Sequence, residues 1–251
     1  MIGLSTLIRR EVHRIFRIWV QSLLGPIVTI FLYFLIFGNI IGNRIGAVNG
    51  IPYLQFIAPG LIIMATINSA YTNVASSFFV VRFQRNIEEM IISPMSNVNI
   101  MLGFVTAGII RGSLVAAILS TLIYLVFHVH LSFNLMMCLD IALTSTLFAL
   151  AGFINGLYAK SFDDIVLIPS FLITPMAYLG GVFYTLDMLP PIWQQLARLN
   201  PLLYIITTFR AHAIAQELLH VERNYLIIVG LILMLSVGSL KSMKKNILLK
   251  G

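Results

Sequence analysis

The chain has 251 residues, 59% of them hydrophobic and only 10% charged, with a formal net charge of +7. That composition and a mean hydropathy of +0.96 exclude a soluble domain, for which about 45–50% apolar is usual. The positive charge is no nucleic-acid footprint, because the basic residues sit beside apolar runs, where they set orientation. The lone Cys138 rules out an intramolecular disulfide.

Several runs reach the ~20 apolar residues that cross a bilayer core of about 30 Å. They predict an all-α polytopic membrane protein, a single transmembrane domain over 1–251 with six spans. Residues 1–19 come first. Leu4, Ile8, Val12, Ile15 and Trp19 make one stripe, with Arg10, His13, Arg14 and Arg17 mostly opposite. This fits an amphipathic helix in the headgroup plane; an ordinary basic flank before a span is the plainer alternative. The first apolar run has no small-residue cleavage site, so no cleavable leader is expected. Spans are expected at 20–41, 54–80, 99–127, 135–158, 165–183 and 225–240. Between them, 185–210 is neither span nor simple loop. Pro190-Pro191 suits a helix start, Ile192, Trp193, Leu196 and Leu199 give a short amphipathic helix, and Asn200-Pro201 breaks it before an apolar run too short to cross. The pattern predicts a re-entrant outer hairpin before the last span.

The stretch 82–94, RFQRNIEEMIISP, is a charged island between two long apolar runs. Ile87, Met90 and Ile91 fall on one helical face, while Arg85, Glu88, Glu89 and Ile92 fall elsewhere. A short amphipathic helix there either docks a soluble partner or is only a solvated link. Orientation follows from basic residues. With the N-terminus inside, eleven lie in cytoplasmic segments: Arg9, Arg10, Arg14, Arg17, Arg82, Arg85, Lys160, Lys241, Lys244, Lys245 and Lys250. Only Arg44, Arg198, Arg210 and Arg223 lie outside, and Arg111 falls within a span. Both termini and the island are therefore expected in the cytoplasm.

Within the spans, Gly108, Gly112, Ala116 and Ser120, then Gly152 and Gly156, and Gly38 and Gly42, repeat every four residues, a spacing that lets helices approach closely. Asn68, Thr72 and Ser76, with Ser69, Asn73 and Ser77 alongside, form a polar arc on the second span. It either lines a path or serves as interhelical glue. Pro169, Thr174, Pro175 and Gly180-Gly181 predict a bent fifth span. Arg111 is read as mid-span, with Asp140 a possible partner in a structural ion pair. There is no GxxxxGK[ST] phosphate loop, no HExxH and no GxSxG. His128 and His130 lack a third ligand, and Asp163-Asp164 read as a helix cap rather than an acid pair. No cofactor, metal or catalytic residue is expected, and the chain is not read as an enzyme.

These stretches resemble the permease subunits of the type-II ABC exporter family, in its YadH-like bacterial inner-membrane branch. FQRNIEEMIISP (83–94), AKSFDDIVLIPSFLITPMAYLGGVFY (159–184) and NPLLYIITTFR (200–210) carry the resemblance, and FRIWVQSLLGPIVTIFLYFLIFGNIIG (16–42) fits it. The resemblance implies six spans, an interfacial N-terminal helix, a re-entrant hairpin and a permease homodimer bearing two separate ATPase subunits. It makes 82–94 the coupling helix, with Arg82, Gln84, Arg85, Asn86, Glu88, Glu89, Met90, Ser93 and Pro94 at the ATPase, and 159–164, with Asp163 and Asp164, a second contact. It runs the substrate path along the dimer interface between the first, second and fifth spans, where Asn68, Thr72, Asn73, Ser76, Thr174 and Pro175 are the candidates. Membrane lipid surrounds the whole, and family substrates include lipids, polysaccharides and drugs. The alternative is an ion-coupled secondary transporter, which usually shows midplane acids and repeated halves; neither is evident here.

Overall fold

The computed structural model describes residues 2–48, 50–92, 95–216 and 221–248. The chain is almost wholly helical. Helix α1 (Ile2–Arg17) leads into the first span, where α2 (Gly25–Tyr33) lies between π-helical turns at Val20–Leu24 and Phe34–Ile41. A short α3 (Gly42–Ile45) and a hairpin of β1 (Ala47–Val48) and β2 (Ile51–Pro52) follow. Then come α4 (Tyr53–Phe83), α5 (Asn86–Ile92), α6 (Asn97–Phe127) and α7 (Leu135–Tyr158). The fifth span is α8 (Phe162–Ile168), a π-turn at Pro169–Ile173 and α9 (Thr174–Leu179). A 3₁₀ turn at Leu186–Met188, α10 (Pro191–Leu199) and α11 (Pro201–Ala213) make the helical hairpin. Helix α12 (Val221–Leu248) closes the chain.

Among the described residues, six helices are long and apolar enough to cross a membrane, namely Val20–Gly38, Tyr53–Phe83, Asn97–Phe127, Leu135–Tyr158, Phe162–Leu179 and Val221–Lys245. Local chemistry sets their ends. Ser96 caps α6 by accepting from Asn99 N at 3.2 Å, and Asn134 caps α7 by accepting from Met137 N at 2.7 Å. Ser161 and Asp164 form a capping box at α8. Asn200 ends α10 and caps α11, with Pro201 in the first turn, where its missing N–H costs nothing. Arg85 has φ 61° and turns the chain from α4 into α5.

Helix α4 is the axis, buried along most of its length and packed chiefly against α7 and α6. The glycine rows make this possible. A Cβ at Gly156 would stand 2.8 Å from the Ala75 carbonyl oxygen, and one at Gly108 would stand 2.8 Å from the Ala149 Cβ. Each glycine thus admits a neighbouring helix to backbone distance, which supplies close van der Waals contact where lipid offers no hydrophobic drive. The first, fifth and last spans are the opposite case. Val28, Leu32, Leu35, Phe171, Leu172, Leu226 and Leu233 are all exposed along them. Two apolar cores result. The larger joins α4 to the first span, α9 and α11; the smaller lies at the α5 end, around Phe78, Phe104 and Phe153.

Candidate functional site

The α5 end of the molecule carries most of the predicted contact residues. Ile87 and Met90 pack against the smaller core, so α5 is fastened by its apolar face. Gln84, Arg85, Asn86 and Glu88 face solvent, and Asn86 Nδ2 donates to Gln84 Oε1 at 3.3 Å. Ile92 is 86% exposed, which no solvated link requires. Ser93, Pro94 and the Glu89 side chain lie outside the described residues. Arg82 points away from this surface to donate to the Ala159 carbonyl and lie over the Phe79 ring. Phe162 packs edge-on to Phe79 at 4.9 Å and near Phe83 at 6.1 Å. The base of α5 and the 159–164 turn therefore form one continuous surface. Within that turn Asp163 is exposed, while Asp164 Oδ2 accepts from Lys160 N at 2.7 Å and Ser161 N at 3.1 Å. Two backbone donors occupy that carboxylate, so Asp164 shapes the turn.

Helix α1 packs beside this end against α6, with Leu7 over Gly103, and is hydrogen-bonded to α4. Its buried face is Leu7, Glu11 and Ile15, while Leu4, Ile8 and Val12 are only half-buried and Trp19 is exposed. The expected stripe is thus rotated by about a residue, because the helix buries itself on protein and a hydrogen-bonded acid is tolerated there. Glu11, 2% exposed, accepts from Ser77 Oγ, from Arg10 Nη2 at 2.9 Å and from Arg14 Nε at 3.2 Å. Arg14 Nη2 also donates to Asn73 Oδ1 at 2.9 Å and to the Asn73 carbonyl at 3.2 Å.

This network divides the polar arc of the second span. Ser69, Asn73 and Ser77 are buried, the latter two tied to α1. Asn68 and Ser76 are half-buried and Thr72 is exposed. These three form an open stripe one helical turn apart on a helix buried almost everywhere else. Asn68 Nδ2 donates to the Met64 carbonyl at 3.1 Å and Ser76 Oγ to the Thr72 carbonyl at 2.7 Å. Satisfied by their own helix, they can face an apolar or a polar neighbour. Asn73 therefore stands apart from Asn68, Thr72 and Ser76. On the fifth span Thr174 is half-buried and Pro175 exposed, and neither is hydrogen-bonded to that stripe.

The expected Arg111–Asp140 pair is not formed. Asp140 accepts from Tyr225 Oη at 2.7 Å and meets His212 Nδ1 at 2.7 Å, joining α7, α11 and α12. Arg111 instead gives its Nε–H to the Ser22 carbonyl at 3.0 Å. The reason is covalent. Proline has no N–H, so Pro26 cannot serve the carbonyl four residues back, which is that of Ser22. The fifth span repeats the device. Pro169 leaves the Ile165 carbonyl without its α-helical donor, and Asn155 Nδ2 approaches it at 3.5 Å and the Asp164 carbonyl at 3.3 Å. The first and fifth spans thus each carry a proline whose freed carbonyl is met by a side chain of the inner bundle.

Arg210, counted only as an outer basic residue, is a structural residue. It is 7% exposed, donates Nε to the Phe56 carbonyl at 3.1 Å and Nη2 to the Gly181 and Val182 carbonyls at 2.6 and 3.2 Å, and lies 4.0 Å over the Phe56 ring. It locks the hairpin to α4 and to the end of the fifth span.

The model of ABC-2 type transporters matches residues 3–213. The chain belongs to the ABC-2 type transporter family. It is similar to the inner membrane transport permease YadH of Escherichia coli (strain K12), 50% identical over 211 residues that cover 83% of this chain and 82% of the relative. It is also similar to nodulation protein J of Neorhizobium galegae, 28% identical over 224 residues covering 83% and 81%, and to that of Rhizobium leguminosarum bv. viciae, 26% identical over 201 residues covering 80% and 78%. This ABC-2 chain is a multi-spanning transport permease. Two of its key residues were within reach of the sequence. Glu11 is the one acid in a basic helix and falls in line with Leu7 and Ile15; Arg210 ends an apolar run after the Asn200-Pro201 break. In each case a lone charge interrupts an apolar stripe.

Proposed function

We propose that this permease is the membrane subunit of an ATP-driven exporter of the bacterial inner membrane. Two copies pair, and a separate ATPase chain docks on the α5 end of each. Nucleotide-driven movement of the ATPases then rocks the copies against each other and alternates access to a path between them. One observation carries this reading: α5 is anchored by Ile87 and Met90 yet presents Glu88 and Ile92 outward, beside Phe162 and the 159–164 turn. A fastened helix with an exposed mixed face is suited to enter a groove of a soluble partner. The open stripe of Asn68, Thr72 and Ser76 then faces the path, with Thr174 and Pro175 on its far wall.

The depth of the membrane follows from α4. From Tyr53 to Asn73 the helix rises about 30 Å, the thickness of the hydrocarbon core. Asn73 meets Arg14 and lies near the inner headgroups, so the rest of α4 and the first part of α6 form a cytoplasmic stalk under α5. Both termini lie inside; 43–53 and 185–224, including a re-entrant hairpin, lie at the outer face. Cysteines placed at Ala47, Ser96 and Asp187, with Cys138 replaced by serine, test this on intact cells. Impermeant thiol reagent should label positions 47 and 187 and spare 96; the reverse overturns the topology.

The decisive experiment is Glu88→Lys with Glu89→Lys. Exposed charge swaps change stability by no more than about 0.5 kcal/mol, whereas a like charge against a partner costs several kcal/mol. The variant should stay monodisperse, lose ATPase co-purification and cease transport. Normal complex formation and transport would remove the coupling role from α5.

A further inference from the structure

Arg111 is a nearly buried cation that the fold leaves unfinished. It is 7% exposed, and its one hydrogen bond uses Nε. Its two Nη groups bond to no described residue. Nor are they sealed: among the described residues, the enclosed side-chain atoms without partners are Ser69 Oγ, Asn73 Nδ2, Ser120 Oγ, Ser145 Oγ and Asn224 Oδ1. The free face of the guanidinium therefore keeps a little accessible surface.

No carboxylate among the described residues pairs with it. Glu11 is held by Arg10 and Arg14, and Asp140 by His212 and Tyr225. A second cation, Arg14, acts on Arg111 electrostatically, although its Nε is paired with Glu11 and its Nη2 is fixed on Asn73. An unpaired charge in a low-dielectric site is costly, and a like charge beside it makes the site more so. Such a pair is stabilised by an anion. The depth is that of headgroups, since Ser22 opens the first span and Phe16 and Trp19 stand exposed just before it.

We propose that Arg111 and Arg14 bind a phosphate-type oxyanion at the inner foot of the first span, the Arg111 Nη groups meeting it as a fork. Guanidinium geometry matches a phosphate through two parallel N–H···O bonds. Arg111 is then held from two sides, by the carbonyl that Pro26 frees and by the anion. The anion belongs either to an acidic lipid or to free phosphate, and the two sources are separable.

The test needs only the purified permease, so its failure leaves the ATPase reading untouched. Phosphatidylglycerol is titrated into detergent-solubilised protein and its retention followed by native mass spectrometry, with and without millimolar inorganic phosphate. Arg111→Gln should weaken retention about tenfold or more, the loss expected for a charge-assisted fork. Arg111→Lys should keep part of it. Arg14→Gln, which leaves the Arg111–Ser22 bond in place, should weaken it several-fold and serves if Arg111→Gln does not fold. Arg44→Gln, at an exposed arginine of the opposite end, should change nothing. Displacement by inorganic phosphate assigns the site to the phosphate group alone; retention in its presence, still dependent on Arg111, assigns it to the lipid. Equal phosphatidylglycerol retention by the native chain, Arg111→Gln and Arg14→Gln overturns the proposal.

Discussion

The hairpin end and the α5 end of this permease each bury an arginine, and they treat it differently. Arg210 meets three carbonyls and the face of Phe56. Arg111, equally buried, meets one carbonyl and feels the charge of a second cation. The same contrast runs through the surroundings. At the hairpin end Asp140 is shared by Tyr225 and His212, and Tyr53 Oη donates to the Phe183 carbonyl at 3.2 Å. At the α5 end, Phe83, Ile92 and Phe162 are exposed. Asn224 Oδ1 apart, the polar network of the hairpin end is satisfied and holds its elements in one arrangement. An unsaturated one leaves capacity for a partner. The hairpin end is built as a lock; the α5 end is the surface for which docking is proposed.

The largest effect should follow from opening the lock. Arg210→Ala leaves three carbonyls without their donor and should cost about 3 kcal/mol or more, read as a lowered unfolding midpoint in detergent. Arg210→Lys should restore only part, because an ammonium lacks the planar fork. A loss below about 1 kcal/mol would erase the contrast between the two ends.

Glu11→Gln comes next. It keeps an acceptor for Ser77 but removes the charge that Arg10 and Arg14 share, at a cost of about 1–3 kcal/mol, again by unfolding midpoint. A neutral result would mean that α1 is held by its apolar contacts alone.

A smaller effect separates the two halves of the polar arc. Asn73→Ala should cost about 1–2 kcal/mol, since Arg14 Nη2 loses its side-chain acceptor on α4 while Nε keeps Glu11. Thr72→Ala should stay within about 0.5 kcal/mol, and Thr72→Cys should cross-link two copies. Cross-linking from Gly112→Cys instead would exchange the packing face for the path face.

The least change in stability is expected at Arg111. Arg111→Gln removes one bond to a carbonyl and relieves a charge, so the net should be within about 1 kcal/mol, although phosphatidylglycerol retention falls. A loss as large as that of Arg210→Ala would make Arg111 a second lock and sharpen the comparison out of existence.

Much of this was legible without the fold. Long apolar runs can satisfy their backbones in a bilayer only as helices, so six spans followed from hydropathy, and the fourth was placed at 135–158, where α7 lies. Glycines every fourth residue announced close helix contact, and the prolines of the fifth span marked the helix that leaves α-geometry at Pro169–Ile173. These are short-range properties, fixed by neighbours along the chain. Pairings between helices are not. Glu11 with Ser77, Arg111 with Ser22 and Arg210 with Phe56 join residues 66, 89 and 154 positions apart, and rotation of one helix by a residue would change every one of them. The sequence determined which segments are helices, where the charges lie and which carbonyls the prolines free. Only the packed bundle decided which side chain answers each freed carbonyl, because that depends on the angle and height at which helices meet.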